Sequence, residues 1–309
     1  MILVCDVGGT RTRLALAEHT PGGWQLGPVE EVPTNADVAA TVTGFLRRVA
    51  NGPVQAAAFG GAGAVSPDGS IRLTNADVLL SPVELARAAG VPRVVIVNDF
   101  GAIAEAIPRL PRESLVPCGG GVSVTGTPVA VLGPGTGLGM AIGAPGRGGW
   151  IAIDGDGGHV DLAPVDDDEL EIWQRLRRAH GRVSAETILC GPGLERLHAA
   201  VSGKQLSAPA IDEAAWRGEP DALHTHALFT RWLGRVAGNL ALIAGARGGV
   251  YLAGGILPRW GARFDALAFR RAFEDKAPYS AWLSAIPTFI ITHPQPGLLG
   301  LAVLAHAGP

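Results

Sequence analysis

Lysine is almost missing from this 309-residue sequence: only Lys204 and Lys276 supply it. Neither stands in a GxxxxGK(S/T) run, so a Walker-type P-loop is excluded and any nucleotide must be held another way. Charge of both signs is sparse, at 17% of residues, and 25 Lys+Arg nearly balance 28 Asp+Glu for a formal net charge of -3. The basic residues are scattered rather than gathered in a stripe, which argues against a nucleic-acid or anionic-membrane partner. Cysteine is equally short: Cys5, Cys118 and Cys190 are far apart and lack CxxC spacing. That pattern fits buried small hydrophobes in a reducing cytoplasm and excludes a cysteine-built zinc site. The opening MILVCDVGG has no basic n-region and too short an apolar core for a secretory signal, so it reads as a first strand. From Cys118 to Gly146 no residue is charged, a length sufficient for a membrane span. Repeated glycine and proline, from Gly119 to Gly135, would break a single helix there, so no membrane segment is expected.

What is present is apolar residues, 47% of the chain, together with 44 glycines and 23 prolines. The composition is that of a globular α/β protein without a disordered tail, long enough for two domains that each bury a core. Periodicity predicts strands at about 2–6, 12–18 and 24–28, a helix near 36–50, and a strand at 54–59. A helix near 83–89 follows, then the β-branched run 93–97 as a buried parallel strand, and a helix from about 100 to 107. Pro108 to Gly121, rich in proline and glycine, is the candidate hinge between domains. A glycine-rich hairpin is expected at about 129–143, helices at about 167–180, 187–201 and 220–246, and a strand at 249–253. Pro296 to His306 reads as an apolar helix. A weak internal echo links Val4–Leu16 with Val131–Ala141, each strand, Gly-Thr turn, strand, and suggests two related halves facing a cleft.

Six constellations sit on this scaffold. In Asp6-Val7-Gly8-Gly9-Thr10 the glycines let backbone N–H groups approach phosphate oxygens, and the Thr10 hydroxyl adds a donor. Asp6 is a candidate Mg²⁺ ligand, through water because that ion keeps much of its shell; taken alone, the segment is equally a simple hairpin turn. Gly133 to Gly139, with Gly135, Thr136 and Gly137 at its tip, offers the same donors and is not a GxGxxG fingerprint. Asn98-Asp99 ends a buried strand and begins a helix; both residue types are favoured N-caps, so a purely capping role for one of them stays open. A carboxylate at the carboxyl edge of a sheet also sits where α/β proteins bind ligands, and Asp99 there can take the proton of an attacking hydroxyl. Small residues around Asp156 and His159 expose both to the hydroxyls of a sugar. Glu186 lies in the first turn of a helix, where its charge also suits the dipole, and Gly254-Gly255 ends a strand where adenine can lie against backbone.

In order, Asp6 to Thr10, Thr74-Asn75, Asn98-Asp99-Phe100, Gly133 to Gly139, Gly157-Gly158-His159-Val160-Asp161, Glu186 with Gly191-Pro192-Gly193-Leu194, Ala253 to Ile256, Ala272 to Lys276 and Pro296 to Gly300 cover nearly the whole chain. The ordered set resembles the bacterial ATP-dependent glucokinase family, within the actin-like hexokinase superfamily. The resemblance implies an actin-like (ribonuclease H-like) two-domain ATPase fold with a central cleft. It places a small α/β domain at 1–108 plus 296–309 and a large one at 109–295. It implies a cytoplasmic, typically homodimeric enzyme that uses ATP and Mg²⁺ to phosphorylate glucose at the 6-hydroxyl. On that likeness Asp99 is the catalytic base, and Asn75, Asn98, Asp99, Asp156, His159 and Glu186 face the sugar. Asp6, Gly8, Gly9, Thr10, Gly135, Thr136 and Gly137 would face the phosphates and metal, and Gly254 and Gly255 the adenosine.

The chain departs from the family pattern at three points. Asp156 stands where Glu is usual before Gly-Gly-His, shorter by one methylene, or about 1.5 Å of reach. Arg11 replaces Asn after Gly-Gly-Thr, and no Trp follows Asn75 at the expected place. A kinase for another hexose or a weakly active paralogue therefore remains an alternative. So does a non-catalytic sugar-responsive regulator, though with the phosphate motif beginning at residue 6 no DNA-binding segment is expected before it. An actin- or chaperone-like ATPase would leave the Asn-Asp and Gly-Gly-His sets without a purpose.

Overall fold

The first 114 residues alternate strands with helices. They form β1 (Ile2–Val7), β2 (Arg11–Thr20), β3 (Gly23–Leu26), β4 (Glu30–Pro33), α1 (Val38–Val49), β5 (Ala56–Gly61), the short β6 (Ile71–Arg72) and β7 (Leu79–Leu80), α2 (Pro82–Ala89), β8 (Val94–Asn98) and α3 (Asp99–Ala106). Next come β9 (Leu115–Gly119), β10 (Val129–Pro134), β11 (Leu138–Gly146), β12 (Gly149–Gly155), α4 (Asp167–His180), α5 (Ala185–Ile188), α6 (Gly191–Ser202), α7 (Ala208–Trp216) and α8 (Pro220–Ala244). The chain ends with β13 (Val250–Leu252), α9 (Ile256–Trp260), α10 (Ala266–Glu274), α11 (Ser280–Ser284), β14 (Thr288–Ile291) and α12 (Pro296–Ala307). This is a computed structural model, and it describes residues 1–74 and 76–307. The expected sugar contact Asn75 lies outside the described residues. Contacts divide the chain into two units: Met1–Ser114 with Ala141–Gly155 and His293–Pro309, and Leu115–Met140 with Asp156–Thr292.

In the first unit the strand order is β3-β2-β1-β5-β8, with β4 on β2. β1 is apolar at every position but Asp6 because both its faces are covered. Leu3, Cys5 and Val7 point to a core with Val42 and Phe45 of α1 and Leu85 of α2, while Ile2 and Val4 point to Leu298, Leu301 and Ala302 of α12. The alternation follows from the two-residue period of a strand. α12 is apolar all round because it sits against β1, β5 and α3.

In the second unit β10, β13 and β14 run parallel, with Leu132 opposite Leu252 and Leu252 opposite Ile290, and β9 adds an antiparallel edge on β14. The parallel series β10-β13-β14 repeats β1-β5-β8 of the first unit, which gives the internal echo a structural basis. Helices α6, α7, α8 and α10 enclose an aromatic core that includes Phe229, Trp232, Phe269 and Phe273.

One expectation is corrected, and two strands are added. The predicted helix 187–201 is two helices, α5 and α6, broken at Leu189 and Cys190. Pro192 lacks an N–H and disfavours helical backbone before it, so a new helix must start there. The stretch Pro108 to Gly121 is not irregular throughout: Leu115–Gly119 is edge strand β9, where Pro117 is tolerated. β14, Thr-Phe-Ile-Ile, is a β-branched run too short to stand out by periodicity.

Candidate active site

In the first unit, the carboxyl ends of three parallel strands stop at one level. Asp6 is in register with Gly60 of β5 and Gly60 with Val97 of β8, so Asp6 and the Asn98-Asp99 pair share one sheet edge. Two strand spacings separate them, about 10 Å. Asp6 keeps about a quarter of its side chain exposed; Arg13 Nη1 stands 3.7 Å from Oδ2 and also bridges to Glu31. Burial raises the Asp6 carboxyl above its usual range, and the nearby Arg13 guanidinium offsets part of this. The β1–β2 turn is fixed by Gly8 N–H donating to Arg11 O at 2.9 Å and by Thr34 Oγ1 donating to Gly8 O at 2.7 Å. Arg11, the departure from the family pattern, is exposed and lies 3.7 Å from Glu31.

Asn98 and Asp99 have different settings. Asn98 is 7% exposed and caps α3: its Oδ1 accepts from Phe100 N at 2.8 Å and Gly101 N at 3.3 Å, and its Nδ2 donates to Gly63 O at 3.2 Å. The capping role left open by the sequence thus falls to Asn98. Asp99 is the first residue of α3, half-buried, with Oδ1 accepting from Phe100 N at 2.9 Å. Replacing Asn98 by Ala removes the cap and leaves Gly63 O short of a donor, at a combined cost of about 2 kcal/mol. Thermal unfolding checks this, and a Tm unchanged in Asn98→Ala contradicts it.

In the second unit, the β10–β11 turn, the His159 turn, Glu186 and the start of α6 come together. Gly135 N–H donates to Gly137 O at 2.8 Å, and Gly191 N–H donates to Gly135 O at 2.8 Å. Glu186 Oε2 accepts from Leu138 N at 2.7 Å, and Oε1 stands 4.0 Å from His159 Nε2. One carboxylate therefore touches the glycine turn and faces the histidine. His159 is in a 3-10 turn, Gly157–His159, closed by its N–H on Asp156 O at 3.0 Å, and Asp156 is exposed. α5 is started by a capping box between Ser184 and Thr187, which fixes Glu186 in its first turn. Gly254, at φ +86°, packs so close to Pro134 that a Cβ would lie 2.4 Å from the Pro134 carbonyl; Gly255 beside it faces open space.

The donors suit a polyphosphate. Among the described residues the N–H groups of Gly9, Thr10, Thr136 and Gly137 and the hydroxyls of Thr10 and Thr136 make no hydrogen bond, so both turns present spare donors. No group of three or more His, Cys, Asp or Glu among the described residues is placed to hold a metal by itself. A cation held by phosphates with one carboxylate, Asp6, agrees with how Mg²⁺ is bound beside nucleotides.

The chain matches the Glucokinase family model over residues 3–308. It belongs to the glucokinase family. A glucokinase of Paramagnetospirillum magneticum is 42% identical over 316 residues, covering 98% of this chain and 97% of that protein. The crystal structure of a glucokinase from an Antarctic psychrotroph superposes with a TM-score of 0.88 at 31% identity, covering 99% of each chain. A ROK family glucokinase of Streptomyces griseus in complex with glucose and AMPPNP shares the fold, at TM-score 0.67 and 21% identity over 99% of each chain. The glucokinase-family fold is thus the actin-like two-domain fold expected from the ordered motifs.

Within this glucokinase-family chain, several partners had no sequence signal. Gly63 O receives Asn98, Leu138 N–H meets Glu186, and Arg182 and Arg196 donate to the carbonyls of His159 and Glu186. The first two act through backbone atoms, which any residue supplies. The arginines stand outside the motifs, although Arg182 lies two residues before the Ser184 cap.

Proposed function

We propose that this chain is an ATP-dependent glucokinase that transfers the γ-phosphoryl group of ATP to the 6-hydroxyl of glucose, giving glucose 6-phosphate and ADP. The observation that carries this reading is the shared sheet edge in the first unit, where a metal-competent carboxylate and a second carboxylate stand about two strand spacings apart. Asp99 takes the proton of the sugar hydroxyl as the oxygen attacks in line. Asp156, His159 and Glu186 of the second unit and Asn98 of the first orient the sugar, while Asn98 also holds the first turn of α3 in place. Spare N–H groups at Gly9, Thr10, Thr136 and Gly137, on the turns that Gly8 and Gly135 close, receive the phosphate oxygens and spread the charge of the transferred group. Asp6 would hold Mg²⁺, which when bound would neutralise charge on the phosphates of ATP. Gly254, closed against Pro134, sets the turn, and Gly255 beside it leaves room for the adenosine.

The expected setting is cytoplasmic and glycolytic, with the chain as a homodimer. All three cysteines are free and buried, which suits a reducing compartment, and no helix of the described residues is long and apolar enough to cross a membrane. Product identity tests the reaction: with glucose and MgATP, added glucose 6-phosphate dehydrogenase reduces NADP⁺. ADP formation without NADP⁺ reduction would remove the 6-position or the sugar. Asp156→Glu should extend the side chain to the family's usual reach and lower KM for glucose about fivefold, the worth of about one hydrogen bond. An unchanged KM would mean that water or another residue already serves that hydroxyl.

A further inference from the structure

Beside the sugar-side residues of the second unit lies an open polar pocket of about 220 Å³, lined by His180, Arg182, Ser184, Glu186, Thr187 and Arg196. Arg182 donates from Nε to Asp161 Oδ1 at 2.6 Å and from Nη2 to His159 O at 2.8 Å. Arg196 donates from Nε to Thr187 O at 2.9 Å and from Nη2 to Glu186 O at 3.4 Å. The backbone at both proposed sugar ligands is therefore held by guanidiniums that also face this cavity.

The cavity has donors to spare. Among the described residues Arg196 has no carboxylate partner, Nη1 of neither arginine makes a hydrogen bond, and the His180 side chain makes no hydrogen bond or ion pair. Glu186 is the one carboxylate in the wall, and its oxygens are turned toward Leu138 N and His159. The Ser184 and Thr187 hydroxyls are bonded to each other at 3.1 Å. A small space ringed by two planar guanidinium forks and an imidazole, with no free carboxylate, matches a compact oxyanion with several acceptor oxygens.

We propose that this cavity binds a phosphate group, as inorganic phosphate or as the phosphoryl group of a sugar phosphate, and that occupancy weakens sugar binding through Arg182 and Arg196. The binding half stands on the cavity alone; the coupling half rests on the assignment of His159 and Glu186 to the sugar. An oxyanion that draws the guanidiniums inward competes with the carbonyls of His159 and Glu186 for their donors. The two sugar ligands then lose part of what fixes them, and by reciprocity sugar weakens phosphate binding by the same factor.

Isothermal calorimetry of sugar-free protein, at constant ionic strength set with KCl, tests the binding half with inorganic phosphate and glucose 6-phosphate as separate ligands. Binding should weaken about fivefold in His180→Gln, which touches neither sugar ligand, and also in Arg196→Lys, which keeps charge but not the fork. Equal affinity for the two ligands assigns the phosphoryl group alone, and tighter glucose 6-phosphate binding that is still lost in His180→Gln adds the sugar ring to the site. Phosphate binding that both variants leave unchanged, or no binding, overturns the site. At saturating MgATP, inorganic phosphate should raise KM for glucose about fivefold in the wild type and much less in His180→Gln, with kcat nearly constant. A phosphate-independent KM overturns the coupling. Glu186→Gln separates the two readings: if it leaves KM for glucose unchanged while phosphate still binds, the sugar assignment fails and the cavity stands.

Discussion

Asp99→Asn should lower kcat by about 10²- to 10⁴-fold, the usual worth of a positioned general base, and leave the glucose dissociation constant within about threefold. The substitution is nearly isosteric. The amide oxygen of the new side chain can still accept from Phe100 N–H, the 2.9 Å contact Asp99 makes at the start of α3, so the helix should keep its place. What is lost is the ability to take a proton as the sugar oxygen attacks. Calorimetric glucose binding together with steady-state kinetics separates the two effects. A kcat within tenfold of wild type would remove Asp99 from the chemistry, and a matching loss of glucose affinity would make it a sugar ligand rather than a base.

The second large effect is structural and lies outside every motif that names a substrate contact. Gly300 of α12 crosses α3 so closely that a Cβ would sit 1.8 Å from the carbonyl oxygen of Ala102. No side-chain rotation relieves a clash between a Cβ and backbone, so the helices must part by about 1 Å or more to regain van der Waals distance. Gly300→Ala should therefore cost about 3 kcal/mol or more, the upper end for overpacking a core. Because α3 begins at Asp99, the displaced helix also moves the base, and activity should fall in the fraction that remains folded. Gly148→Ala is the control: a Cβ there meets nothing within 4 Å, and its effect should stay within about 0.5 kcal/mol. Denaturant unfolding of the two variants provides the comparison, and equal midpoints would contradict the close crossing.

Much of this arrangement is legible in the sequence, and the reasons are physical. β1, β8 and α12 are apolar at nearly every position because both faces of the sheet, or all sides of the helix, are covered, and that pattern survives in the sequence. α4, Asp167–His180, carries its signals at both ends: Asp166 caps it, acids fill its first turn, and Gly181 ends it. The glycine turns are legible as Gly-Thr runs between apolar strands, although neither Gly8 nor Gly135 takes a positive φ. β12 was missed because its residues Ile151 and Ile153 are exposed rather than buried, so no core alternation marks it as such. α7 packs on α6 and α8, and α10 on α8, as short helices whose place is set by tertiary packing more than by propensity.

Site residues divide along the same line. Of the proposed site residues, Asp6, Asp99, Asp156 and His159 lie at strand ends or in small-residue turns and Glu186 in the first turn of α5, and their chemistry shows in the residue type. Which of Asn98 and Asp99 caps α3 was not legible, since either can. The structure gives the cap to Asn98, through Phe100 N–H, Gly101 N–H and Gly63 O together. Contacts through backbone, such as Leu138 N–H to Glu186, leave no trace in the sequence.

Sugar-dependent phosphoryl transfer from ATP is tested most directly by the rate of ADP release measured across a panel of hexoses, with and without Mg²⁺. ADP release should be slow without sugar, rise by orders of magnitude with glucose, rise less with mannose, fructose or N-acetylglucosamine, and vanish when Mg²⁺ is removed. ADP release that no sugar stimulates would contradict it.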